Sequence, residues 1–165
     1  MVTDSIDDKL PGAILDRHAF RGDQTIVVDR ERFLEVVDFI FLEGFQQLMD
    51  VTAVDGNQRD PRFDVVYHLL NLTTQERLRL KVRVAERESV PSLVSRFKSA
   101  DWAEREVMDM FGIPFEGHPD PRRLLMWEDF PGFPLRKDFP LDGGDLFCSQ
   151  DIGASYAPEA RSMNV

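Results

Sequence analysis

Cys148 is the only thiol in this chain of 165 residues. That excludes a disulfide within one chain and fits a reducing compartment. Four-thiolate iron–sulfur ligation and four-ligand structural zinc are also out of reach, because the remaining candidates are His18, His68 and His118, widely scattered. The sequence contains no CxxC, HExxH, GxGxxG or GxSxG and no P-loop glycine pattern, so metalloprotease, dinucleotide, nucleotide and hydrolase-elbow chemistry all lack their motif. No apolar run approaches the roughly 18 to 20 residues that cross a bilayer. Met1–Pro11, with Asp4, Asp7 and Asp8, lacks the basic-then-apolar layout of a signal peptide. The expectation is a protein neither exported nor membrane-spanning, whose membrane contact comes only through partners. Positive charge is scarce as well: 20 Lys and Arg face 30 Asp and Glu, a net charge of -10. Phosphate backbones and anionic headgroups repel such a chain, so no nucleic-acid partner is expected.

What is present suffices for one folded domain, with 42% hydrophobic and 30% charged residues. Ile14–Phe20 and Gln24–Val28 flank the turn-forming Arg21-Gly22-Asp23 and predict a short strand pair. Arg30–Phe41 places Phe33, Val36, Val37 and Ile40 at helical spacing, with Asp29 as N-cap and Gly44 beyond the end. Strands are predicted over Gln46–Ala53 and Arg62–Asn71. A third follows, in which Leu78, Leu80, Val82 and Val84 alternate strictly with Arg77, Arg79, Lys81 and Arg83. Its row of cations reads as a solvated outer sheet face or a docking face. Asp101-x-x-Glu104 has the spacing of a capping box, and Ala103, Val107, Met110 and Phe111 then share a helix face that Gly112 and Pro114 terminate.

Beyond that helix the regularity stops. Seven of the ten prolines and six of the ten glycines fall in Gly112–Val165, among Phe115, Leu124, Leu125, Met126, Trp127, Phe130, Phe133, Leu135, Phe139 and Phe147. Only Asp120-Pro121 followed by Arg122–Trp127 reads as a helical turn. So much apolar weight without period requires cover, from a neighbouring protein or from the chain's own domain. The expected architecture is α+β: a mixed β-sheet with helices packed on one face over residues 1–112, followed by a long extended, Pro/Gly-rich, partner-wrapping segment over 113–165. Arg122, Arg123, Trp127, Phe133, Arg136, Lys137 and Phe139 are the expected partner-interface residues, basic groups and aromatic anchors set in non-periodic sequence.

Four blocks occur in order: Glu104-Arg105-Glu106-Val107-Met108-Asp109-Met110-Phe111-Gly112-Ile113, Phe115-Glu116-Gly117-His118-Pro119-Asp120, Arg122-Arg123-Leu124-Leu125-Met126 and Pro134-Leu135-Arg136-Lys137-Asp138-Phe139-Pro140. Together they resemble the signature of the thirty-kilodalton subunit family of respiratory NADH-quinone oxidoreductase (complex I). Leu48–Asp55 and Phe63–Leu69 resemble the family's sheet region. Where many relatives carry Pro-Glu-Asp-Trp and Gly-His, this chain has Trp127-Glu128-Asp129-Phe130 and Gly132-Phe133. The resemblance implies a structural and assembly role in the peripheral arm of a proton-translocating quinone reductase, at the cytoplasmic face of the inner membrane. The chain would pack against the quinone-site and terminal-cluster subunits and bind no cofactor itself, while NAD, FMN, iron–sulfur clusters and quinone belong to the parent complex. The resemblance also admits an equivalent subunit of a membrane-bound hydrogenase or of a ferredoxin- or F420-linked dehydrogenase.

Two readings of other classes stand beside it. An independent enzyme would use Asp109, Glu106 or His118, but Glu104 and Glu106, two apart on a helix, point away from each other. Glu104 is instead expected to cap the helix and His118 to form loop hydrogen bonds. A stand-alone soluble binding module is the third reading. No catalytic, cofactor-binding or metal residues are assigned.

Overall fold

The computed structural model describes residues 2–140. Helix α1 (Val2–Lys9) is followed by β1 (Ile14–Phe20), β2 (Asp23–Val28), a single 3-10 turn at Arg30–Arg32, α2 (Phe33–Leu42), β3 (Gln47–Asp55), β4 (Phe63–Leu70), β5 (Arg77–Val84), β6 (Val90–Pro91), α3 (Ala100–Phe111) and β7 (Phe115–Glu116). Five strands form one sheet in the order β1-β2-β5-β4-β3. Its β2–β5 pair is parallel and the other pairs are antiparallel, so the sheet is mixed. A second, two-stranded parallel sheet joins β6 to β7.

The alternation along β5 sets the two faces of the large sheet. Leu78, Leu80, Val82 and Val84 lie opposite Leu69, Tyr67, Val65 and Phe63 of β4, and all eight are buried. They form one core with Ile6 of α1, with Phe33, Val36, Val37 and Ile40 of α2, and with Val107, Met110 and Phe111 of α3. The α+β architecture with helices on one face is therefore present. Arg77, Arg79, Lys81 and Arg83 point to the other face, where the Arg79 guanidinium donates to Thr25 Oγ1 at 3.2 Å.

Local chemistry explains the element ends. Asp29 accepts the Glu31 N–H at 3.0 Å, so the expected cap exists, although the first turn after it is 3-10. Gly44 ends α2 with φ +99°, and a side chain there would come within 2.7 Å of Asn71 Nδ2. Asn71 in turn donates to Glu43 O and accepts the N–H groups of Thr73 and Thr74, which ties the end of α2 to the β4–β5 turn.

Several expectations need correction. Helix α1 and the β6–β7 pair were not anticipated. The capping box is not formed: α3 begins at Ala100, and Glu104 is fully buried with its carboxylate on Ser92 Oγ and Leu93 N–H. It shares a face with Ala100, Val107 and Phe111, so its spacing from Asp101 has no capping role. No helical turn exists over 122–127. Phe147 and Cys148 lie outside the described residues.

Tyr67 sits beneath α2, its ring 5.0 Å from that of Phe33, and its Oη is buried with no hydrogen-bond partner among the described residues. A buried hydroxyl without a partner is a net cost. Tyr67→Phe is therefore expected to leave the chain as stable or up to about 1 kcal/mol more stable by urea unfolding. A loss of more than about 1 kcal/mol would show that the hydroxyl has a partner.

Candidate partner interface

From Ile113 onward the described chain pairs with β6 and then follows α3 from its first turn, where His118 meets Asp101, to its C-terminal end, where Leu135 meets Met110. The first contact is the β6–β7 pair, in which Val90 N–H donates to Pro114 O and Ser92 N–H to Glu116 O. It buries Ile113 and Phe115. Next comes His118, whose side chain is fully buried. Its Nδ1 accepts the Asp120 N–H at 3.0 Å, so the proton lies on Nε2, 3.1 Å from Asp101 O and 4.0 Å from Glu104 Oε2. The expected loop-bonding role is what the geometry gives. Burial raises the pKa of Glu104, and the Ser92 and Leu93 hydrogen bonds oppose that only in part.

Asp109 organises the following stretch. One carboxylate oxygen accepts the N–H groups of Leu124, Leu125 and Met126 at 3.1, 2.7 and 2.8 Å, and the other accepts from Arg123 at 2.7 Å. Burial pushes this carboxyl's pKa up, but the four hydrogen bonds outweigh it and hold it below the usual range. The Arg123 guanidinium also donates to Phe130 O and Gly132 O and lies over the rings of Phe130 and Phe133.

A second carboxylate, Asp55 at the end of β3, plays the same part further on. Arg62 grips it bidentately at 2.9 and 2.8 Å, and the N–H groups of Asn57 and Lys137 add 2.7 and 2.8 Å contacts. Arg62 hydrogen bonds hold Asp55 well below the carboxylate range against the opposing effect of burial. The same guanidinium reaches Asp138 at 2.9 Å. Arg136 lies between the rings of Phe63 and Phe133 and donates to Phe111 O at 2.8 Å and to Glu86 at 3.1 Å.

The expected interface residues thus separate into two sets. Arg123, Phe133, Arg136 and Phe139 are half-buried and contact their own chain, with Phe139 stacked on Phe130 at 5.8 Å. Arg122, Trp127 and Lys137 face outward. The Arg122 side chain is 81% exposed although it binds Asp120 through two 2.7 Å hydrogen bonds, which hold that carboxyl at about 2. Trp127 meets Phe130 edge-on at 4.7 Å. Sequence reasoning passed over Asp55 and Arg62. Glu104 carried a readable signal, an acid at i+4 from Ala100 and three before Val107 on an apolar helix face. Among the described residues no group of three or more His, Cys, Asp or Glu could hold a metal ion.

Comparison with known proteins shows the family. Residues 26–145 match the family described as "Respiratory-chain NADH dehydrogenase, 30 Kd subunit". An NADH-quinone oxidoreductase subunit from Citrifermentans bemidjiense is 44% identical over 140 residues, covering 84% of this chain and 87% of that protein. One of the same name from a Ruegeria species is 47% identical over 141 residues, covering 84% and 70%. Among solved structures, a trypsin-resistant fragment (residues 1–134) of Nqo5 superposes with a TM-score of 0.66 at 32% identity, covering 73% of this chain and 99% of the fragment. A chain of an archaeal respiratory complex, the membrane-bound sulfane sulfur reductase, shares the fold with a TM-score of 0.72 at 23% identity, covering 99% and 94%.

The depressed Asp109 contributes stability that is complete above the unfolded value of 3.8 and is lost as pH falls through its lower folded value. Asp109→Asn is expected to cost about 2 to 4 kcal/mol at neutral pH, because Arg123 loses its buried partner. That difference should stay constant from about pH 8 to pH 5 and shrink only below about pH 4. Urea unfolding of both proteins across this range checks it; a difference that fades near pH 6 would show that Asp109 is not the group responsible.

Proposed function

Because the chain belongs to the 30 Kd subunit family of respiratory-chain NADH dehydrogenase, we propose that it is a cofactor-free structural subunit of the peripheral arm of a proton-translocating NADH-quinone oxidoreductase. In this reading it supports electron transfer to quinone from outside the redox path. NAD, FMN, iron–sulfur clusters and quinone are held by other subunits. The observation that carries the reading is the use made of the buried carboxylates. Asp55, Asp109 and Glu104 are the buried acids best placed for acid–base chemistry, and each spends its oxygens on structural donors: Asp109 on Arg123 and the N–H groups of Leu124 to Met126, Asp55 on Arg62 and the Lys137 N–H, and Glu104 on the Ser92 hydroxyl and the Leu93 N–H. Groups engaged in this way hold structure and are not open to a substrate.

The partners proposed are the hydrophilic subunits that carry the quinone site and the terminal cluster. Arg122, Trp127 and Lys137 present the outward contacts, while Arg123, Phe133, Arg136 and Phe139 shape the segment that displays them. Exposed arginine and aromatic side chains on irregular backbone suit an interface. Among the described residues no helix is long and apolar enough to cross a membrane. In this reading, attachment to the cytoplasmic face of the inner membrane runs through partners.

The test is a pull-down on this chain from detergent-extracted membranes. Co-recovery of flavin- and iron–sulfur-containing subunits supports the proposal, and recovery of the chain alone sinks it. A double charge reversal, Arg122→Glu with Lys137→Glu, is expected to lower the native-gel abundance of the assembled reductase several-fold. Because both side chains are exposed, the Tm of the isolated chain should move by only a few degrees. Full assembly with full quinone reductase activity would remove these residues from the interface.

A further inference from the structure

We propose that residues 133–138 form a latch that is closed on the domain before any partner arrives. The inference extends the subunit reading, since a closed latch holds the outward-facing Lys137 in place before a neighbour is met. The reason for closure lies at the end of α3. The last carbonyls of a helix have no partner within the helix. Gly112 N–H closes on Met108 O, so the carbonyls of Asp109, Met110 and Phe111 follow the last helical bond, and two of them, Met110 O and Phe111 O, are met from residues 135 and 136. Leu135 N–H donates to the first at 3.1 Å and the Arg136 guanidinium to the second at 2.8 Å. The cation at this terminus also opposes the negative end of the helix dipole. Both residues bearing these carbonyls are buried with the segment in place, so lifting it would break two hydrogen bonds and uncover apolar surface of Met110 and Phe111.

Two further fastenings flank this pair. Gly112 has φ +73°, and the Phe133 ring fills the space where a side chain would stand: a Cβ there would come within 2.5 Å of the ring. On the other side, Lys137 N–H donates to the buried Asp55, and Asp138 meets the second edge of Arg62. The fastening is graded. Asp55 and Arg62 have side chains only 1% and 12% exposed, whereas Asp138 and Glu86 at the outer edge are about half exposed. A latch built this way opens from the Asp138 end while the Leu135 and Phe133 end stays seated. Pro140, the last described residue, follows directly on that outer edge.

Amide hydrogen exchange followed by NMR on the purified full chain, alone and in the assembled complex, tests the proposal. In the isolated chain the amides of Leu135 and Lys137 should exchange at least about a hundredfold more slowly than unstructured amides. Phe133→Ala, which leaves the α3 backbone untouched, should speed both by about tenfold or more while β4 and β5 amides keep their protection. Gly112→Ala should do the same, provided its sheet amides remain protected. Two results overturn the latch: amides that are unprotected in the isolated chain and become protected only in the complex, or unchanged protection in Phe133→Ala. A failed pull-down of redox subunits would count against the subunit reading and leave the latch standing.

Discussion

A carboxylate removed from water must be met by donors on most of its lone pairs, and Asp109 and Asp55 impose that requirement on the second half of this fold. Neither finds enough donors within its own element. Asp109, on the inward side of α3, obtains them only if the backbone from Leu124 to Met126 turns its N–H groups toward it and Arg123 closes the remaining side. Asp55 obtains them from Arg62 and from the backbone of Lys137. In both cases the donors lie downstream of α3 or across a turn, so these two residues specify the path of a segment that has almost no secondary structure. The net gain from each hydrogen bond is modest, on the order of 1 kcal/mol, while leaving a buried acceptor unmet costs more than the bond contributes. The path is therefore selected chiefly by what any alternative would leave unpaired.

This explains which parts of the structure the sequence disclosed. β5 was legible because its apolar residues bury against one layer and its cations face away, a period of two that nothing interrupts. α2 and α3 were legible for the same reason at a helical period. α1 was not: it is short and acidic, Ile6 is its only fully buried apolar side chain, and it is held partly by ion pairs from Asp4 and Asp7 to Arg17 of β1. Those contacts are long-range and leave no local pattern. The expected capping box failed because a four-residue spacing cannot tell an acid at a helix start from an acid on its buried face. The expected turn at 122–127 failed because its N–H groups are claimed by Asp109, a residue on a different element.

The expected interface residues divide into inward and outward sets for a related reason. Basic side chains set among aromatics in non-periodic sequence have unsatisfied donors and apolar anchors, and sequence alone cannot say whether the answering acceptors belong to a neighbour or to the same chain. Arg123 and Arg136 find theirs in backbone carbonyls of Phe130, Gly132 and Phe111. Arginine suits this use because its planar fork can donate to carbonyls while its face lies on an aromatic ring. Arg122 and Lys137 stand beside them in sequence and differ only in direction. Arg136 and Lys137 lie in two successive turns, closed by Arg136 N–H on Phe133 O and by Phe139 N–H on Arg136 O, and in each basic pair one member faces the domain and the other faces out.

That alternation gives a physical meaning to the four ordered sequence blocks. The first block supplies Glu104, Asp109 and Gly112; the second His118 and Asp120; the third Arg123 and the N–H groups of Leu124 to Met126; the fourth Arg136, Lys137 and Asp138. Separated along the chain, they meet along α3 and at the adjoining end of the sheet, from His118 at Asp101 to Arg136 at Phe111 and Lys137 at Asp55. Their spacing is constrained because each connecting stretch has to reach a fixed acceptor on the domain, and because Gly112 leaves room for Phe133 and for no side chain of its own. A signature of this kind need not mark a catalytic centre. It arises whenever irregular backbone has to be held in one conformation so that the residues on its outer side, Arg122 and Lys137 here, are displayed in fixed positions.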